Sequence, residues 1–152
     1  MARHRARRQA LQLLYQWDMR RAHGDDLPHE EILRGYYGSL LVDDENPAHP
    51  QPDEFAEELF RGVTGEIAAV DESITKHAEH WKLQRMPSVD RNILRLAVYE
   101  ILRTETPPAV VIDEALELAR QFSGEESVHF VNGVLDAVRK EAAPVVPADH
   151  QI

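Results

Sequence analysis

Arginine occupies four of the first eight positions of this sequence: Arg3, Arg5, Arg7 and Arg8. A guanidinium keeps its charge at any accessible pH, and its planar fork suits bidentate contact with phosphate and stacking on a base. Gln9, Gln12 and Gln16 follow, with Tyr15 among them. Amides supply donors and acceptors for base edges, and a phenol ring can stack on an unpaired base. Cation, amide and aromatic together suit a short single strand better than a duplex groove. A helix start carries partial positive charge, so four arginines there oppose local helix stability. A polyanionic ligand is the simplest reason for keeping them. A merely solvated basic end is the plainer alternative.

Residues 1–21 carry a net charge of +5 and the rest of the chain −15, for −10 over 152 residues. A basic head on an acidic body reads as one anion-seeking patch with repulsion elsewhere. Nothing comparable points to catalysis. There is no Gly-rich loop after a strand, no local Ser–His–acid motif, and no cysteine for a thiolate metal site or nucleophile. His77 and His80, beside Glu79, have metal-ligand spacing but no evident third ligand, so a solvated polar turn is the preferred reading. The acidic pairs Asp43–Asp44, Glu57–Glu58 and Glu125–Glu126 read as solvated faces. The expectation is a non-enzyme with no catalytic residue, no metal and no cofactor. No apolar run reaches the roughly 18 residues of a membrane helix, and the absence of cysteine fits a reducing cytoplasm.

The elements that must carry these residues are helices. Apolar positions recur with the 3.6-residue period, and strand-like alternation is absent beyond a few residues. The first helix is expected over about Arg3–Ala22. Ala6, Ala10, Leu13, Leu14 and Trp17 form its buried stripe, and Arg5, Arg8, Gln9, Gln12 and Gln16 the opposite face. Leu11 and Tyr15 lie on an exposed flank. Arg7 and Arg8 flank or oppose the stripe, so charge reversal at both is expected to leave unfolding almost unchanged. A second helix fits Pro28–Val42. The segment 43–53, with Pro47, Pro50 and Pro52, reads as an exposed loop.

One long helix is expected from Asp53, because Phe55, Leu59, Phe60, Val63, Ile67, Val70, Ile74, Ala78 and Trp81 keep phase through Gly62 and Gly65. Ser88 or Asp90 should cap the next helix. Its apolar residues, from Val89 to Leu102, surround the whole circumference and make it central. Two further helices follow. One opens at Pro107–Pro108 and buries Phe122, with Gly124 as its stop. The other spans about Glu126–Lys140 and buries Phe130. This is an all-α fold of about six to seven helices, one domain over 1–141, with a disordered tail at 142–152.

Three segments carry a resemblance. Arg7–Trp17, Val89–Leu102, and Ile112–Ser127 continued by Phe130–Asp136 resemble, in order and spacing, the opening, central and last two helices of the NusB family of bacterial transcription antitermination factors. The resemblance covers nearly the whole chain except the 43–53 loop and the tail. It implies two three-helix bundles packed at a steep angle. It implies binding of the boxA element of ribosomal RNA leader transcripts, a heterodimer with NusE (a small-subunit ribosomal protein) and a place in an antitermination complex on RNA polymerase, without catalysis. Carried over by position, it gives Arg5, Arg7 and Arg8 as phosphate contacts and brings Gln12 and Tyr15 to the bases. It also implies Phe122 and Phe130 near the RNA surface, although both fit core stripes as well. Glu126 matches an acidic position near the partner and RNA surface. His4 interrupts the basic run, and the 43–53 loop carries no family motif.

Other readings stay open beside it. One is a helical adaptor that binds only protein. Another is the RNA-binding module found at the N-terminus of RNA cytosine methyltransferases, which requires a large cofactor domain beyond Ile152. Monomer and homodimer are both compatible with the sequence, since Leu11 and Tyr15 could serve a dimer contact or RNA.

Overall fold

A computed structural model describes residues 2–40, 53–79 and 81–142. Among these residues there are seven α-helices, one 3-10 turn at Leu83–Arg85, and no strand. The helices are α1 (Ala2–Ala22), α2 (His29–Leu40), α3 (Glu54–Gly65), α4 (Ile67–His77), α5 (Ser88–Arg103), α6 (Pro108–Phe122) and α7 (Glu125–Ala142). Positions 43–52 of the expected loop, the tail beyond Ala142, and His80 of the histidine pair lie outside the described residues.

Helix α5 is the hub. It packs against α1, α3, α4, α6 and α7, while α1 also packs on α3, and α6 on α7. Ile93, Leu94, Leu96, Ala97 and Val98 are all buried, which is why its apolar residues surround it. The stripe of α1 is buried as its spacing requires, from Ala6 through Trp17, and Leu11 joins it rather than lying on an exposed flank. Helix α1 ends at Gly24, whose φ of 82° is a left-handed conformation that glycine adopts at no steric cost. Pro108 opens α6 at its first turn, where a missing N–H costs nothing.

Three sequence expectations are corrected. The segment after Asp53 is not one long helix. The chain breaks between Gly65 and Ile67, where the Glu66 N–H bonds back to the carbonyls of Gly62 and Val63. The apolar stripe keeps phase across the break, with Val63, Val70 and Ile74 all buried, so periodicity alone could not reveal it. Gly62 serves packing: a Cβ there would lie 2.2 Å from the Tyr99 ring of α5. Trp81 does not complete the buried stripe. It is 53% exposed and meets the Phe130 ring edge-on at 5.8 Å. Neither Ser88 nor Asp90 caps α5: Pro87 holds the N-cap position and no side chain bonds there. Asp90 is spent elsewhere, as described below.

Candidate nucleic-acid interface

Helix α1 puts Arg5, Arg8, Gln12, Tyr15 and Met19 three and four residues apart, which aligns them on one face. The lower part of this face borders a groove of about 600 Å³. Leu11, Gln12, Tyr15, Gln16 and Met19 form one wall; Tyr36 of α2, Val89 of α5 and Phe122 of α6 complete it. Two aromatic rings are available to a ligand, Tyr15 at 39% and Phe122 at 42% exposed. Solvated rings of this size in a shallow groove are suited to stacking partners. Phe122 thus leaves the core stripe assigned to it: it is the last residue of α6 and its ring is exposed.

The end of α6 is held in place by α5. Buried Asp90 accepts hydrogen bonds from the Ser123 and Ser127 hydroxyls, both at 2.8 Å. Between those serines the chain turns at Gly124, with φ 155°. Ser123 directly follows Phe122, so the Asp90 contacts fix the turn that presents the ring. Glu126, one residue before Ser127, is exposed in the first turn of α7. Phe130 is half-buried under Trp81 and is not among the groove residues.

The arginines divide. Arg3 and Arg5 are exposed, and the guanidinium of Arg3 lies 4.6 Å from the centroid of the Phe55 ring. Arg8 is half-buried, close enough to Tyr36 for its charge to act on the phenol, and forms no ion pair among the described residues. Arg7 is the exception, and the expectation of a surface phosphate contact is corrected there. It is 3% exposed and bonds both carboxylate oxygens of buried Glu100, at 2.8 and 2.9 Å. Burial opposes its charge, but Glu100, with Glu114 beyond it, holds its pKa above the ordinary value. His4 pairs with Glu114 and fastens the start of α1 to α6.

A second ionic cluster anchors the other end of α1. Asp18 accepts from Arg91 at 2.6 Å and from Asn92 at 3.2 Å, and lies 3.2 Å from Arg95. Arg95 in turn bonds both oxygens of Asp71 on α4, at 2.8 and 3.0 Å. Burial works to raise the Asp18 pKa, yet Arg91 and Arg95 together bring it below the usual carboxylate value. Tyr36 is buried at the base of the groove, and its hydroxyl donates to Oε1 of Gln12 at 2.6 Å. Burial is the largest cause of its phenol pKa being pushed up to about 12. Sequence reading missed Tyr36, Asp90 and Met19. Tyr36 carried one usable signal, its three- and four-residue spacing from Ile32 and Leu33, which placed it on the inner face of α2.

Among the described residues, no group of three His, Cys, Asp or Glu side chains could hold a metal ion. His77 bonds the Ser73 carbonyl at 2.8 Å and Glu141 at 2.7 Å. Also among the described residues, no helix is long and apolar enough to cross a membrane.

The NusB family model matches residues 4–140. Over 140 residues the chain is 56% identical to the transcription antitermination protein NusB of Solibacter usitatus, covering 92% of this chain and 90% of that protein. It is 45% identical over 142 residues to the protein of the same name from Anaeromyxobacter dehalogenans, covering 93% of each. In structure it resembles T. maritima NusB, with a TM-score of 0.73, 37% identity and 93% of each chain covered. It also resembles a chain solved in the "Crystal Structure of Antitermination Factors NusB and NusE in complex with dsRNA", with a TM-score of 0.71, 30% identity, and 93% of this chain and 99% of that one covered. With a helical fold similar to these structures and a family match over nearly its whole length, the chain belongs to the NusB family.

Proposed function

We propose that this protein is a transcription antitermination factor that binds boxA-type RNA of ribosomal leader transcripts together with NusE, within an antitermination complex on RNA polymerase. One observation carries the reading: Arg8, without a carboxylate partner among the described residues, lies near Tyr36, which lines a groove together with Gln12, Tyr15 and Phe122. Arg3, Arg5 and Arg8 neutralise phosphates, Gln12 meets a base edge, and Tyr15 and Phe122 stack on unpaired bases. Glu126, exposed next to the Phe122 turn, is positioned for the protein partner. The protein acts in the cytoplasm by binding, without a catalytic step. Phe130, half-buried against the exposed Trp81 ring and outside the groove lining, is a further aromatic candidate for RNA contact.

The resemblance to a NusB–NusE complex with double-stranded RNA supports RNA as the ligand class. The exposed rings favour an unpaired strand, because a duplex buries the base faces they would stack on. The test is titration of a short boxA-type RNA, single-stranded and as a duplex, with and without NusE, at two salt concentrations. The single strand should bind more tightly, NusE should strengthen it, and Tyr15→Ala or Phe122→Ala should each weaken binding by about tenfold. Wild-type affinity in both variants would remove the groove from the interface. Absence of salt-dependent RNA binding would leave a protein-only adaptor.

A further inference from the structure

Eleven lysines and arginines lie beyond residue 21, and among the described residues all but Arg34, Lys82 and Arg85 pair with a carboxylate. Two of those three share one short turn. Lys82 precedes the 3-10 turn at Leu83–Arg85 and Arg85 closes it; both are exposed, as is Gln84 between them. Trp81 comes just before and, at 53%, is the most exposed large apolar side chain among the described residues. No acidic residue lies between Trp81 and Val89, in a part of the chain that is otherwise strongly acidic. The turn is also tied down. Nη1 of Arg91 donates to the carbonyls of Leu83 and Met86, both at 3.1 Å, while its Nε and Nη2 hold Asp18 of α1 at 2.9 and 2.6 Å. Met86 is buried, and Phe130 meets the indole at 5.8 Å. The turn is thus fastened to the helix that forms one wall of the groove. Val89, four residues after Arg85, lines that groove, so Arg85 starts within about 14 Å of it.

We propose that the turn Trp81–Arg85 is a second contact for the RNA strand: nucleotides leaving the groove past Val89 stack on Trp81 and set their phosphates against Lys82 and Arg85. An indole offers its face to any base, and a cation without an internal carboxylate gives up nothing when it meets a phosphate. An acidic protein segment would satisfy the two cations but leave the indole unused. Stacking and phosphate contact carry no base readout, so this turn lengthens the footprint and adds affinity without adding sequence specificity. The inference rests on the RNA reading of the groove and continues the strand beyond it.

The test uses the full chain and two kinds of probe, a short boxA-type RNA and the same RNA extended by a few nucleotides at one end or the other. One extended probe should bind the wild-type protein about tenfold more tightly than the short one. Trp81→Ala should remove most of that gain, and abasic nucleotides in the extension should remove the same share. Lys82→Gln with Arg85→Gln should lower the log–log salt slope on the extended probe by about 1.4, the value for two phosphates on a single strand. Affinity for the short probe should be unchanged in both variants, which reports an intact fold. The proposal is overturned if neither extension gains affinity, or if the gain persists in both variants. Binding of polyglutamate in place of the extension, lost in Lys82→Gln with Arg85→Gln, would likewise overturn it and give the turn to an acidic protein. Failure of the groove reading is separate: Tyr15→Ala and Phe122→Ala would then leave affinity for the short probe unchanged.

Discussion

Arg7 and Arg8 are neighbours on one helix and do opposite things. Arg7 points inward, gives both faces of its fork to Glu100 and is nearly inaccessible. Arg8 is half-buried, lies near the groove-lining Tyr36 and has no carboxylate among the described residues. The inner side of α1 is closed by ionic pairs at both ends, Arg7–Glu100 and Asp18 with Arg91 and Arg95. The outer side leaves Arg5, Gln12 and Tyr15 exposed. Like charges close in sequence therefore part by about 100° of helix rotation, one buried against a carboxylate and the other left without one among the described residues. Rigidity on the inner side is what makes the outer side a preformed surface, since a helix pinned at both ends pays little ordering cost on binding.

The contrast can be broken most forcefully at Arg7. Arg7→Glu places a carboxylate against buried Glu100, and stability should fall by about 3–5 kcal/mol in urea unfolding. A change below about 0.5 kcal/mol would mean that the inner face is not structural. Asp90→Ala should cost about 2 kcal/mol, because two serine hydroxyls lose their acceptor, and RNA affinity should drop with it as the Phe122 turn loosens. If affinity holds while stability falls, the turn does not position the ring.

Arg8→Glu should do the reverse of Arg7→Glu. RNA binding should weaken by about tenfold, with unfolding changed by no more than about 0.5 kcal/mol. Comparable destabilisation by both substitutions would erase the distinction between the faces. Salt titration sharpens it further. Four phosphate contacts predict a log–log slope of about −3 on a single strand, whereas Arg3, Arg5 and Arg8 without Arg7 predict about −2. The smallest effect is acid dependence. The folded pKa of Asp18 is depressed, so its contribution is present above the ordinary aspartate pKa and disappears as pH falls through the lower folded value. Asp18→Asn should flatten that part of the stability–pH curve, measured by urea unfolding across the acid range.

Much of this was readable from spacing. The stripes of α1, α5, α6 and α7 follow from the 3.6-residue period, and Gly24 and Pro108 stand where helices stop and start. The groove residues Gln12 and Tyr15 were legible because Arg, amide and aromatic share a face. Arg7 was legible in principle. It lies about 20° from Leu14 around the helix, at the margin of the buried stripe. Its charge argued for solvent, and the partner that overrides this is 93 residues away. The break at Gly65 was hidden because the stripe continues in phase through it. Trp81 and Phe122 were assigned to stripes they have the right angle to join, but α4 ends at His77, before Trp81, and Phe122 is the last residue of α6; both rings stay exposed.

Sequence alone determined the helical class, the order of the elements, the central place of α5 and the one basic end of an acidic chain. These depend on local period, on turn residues and on charge counted along the chain. Tertiary structure decided which arginine is spent on a carboxylate, which aromatic rings line the groove, and that a tyrosine from α2 meets the Gln12 amide. Those outcomes depend on which side chains meet across helices, and a pairing between distant residues leaves no mark in the spacing of either one.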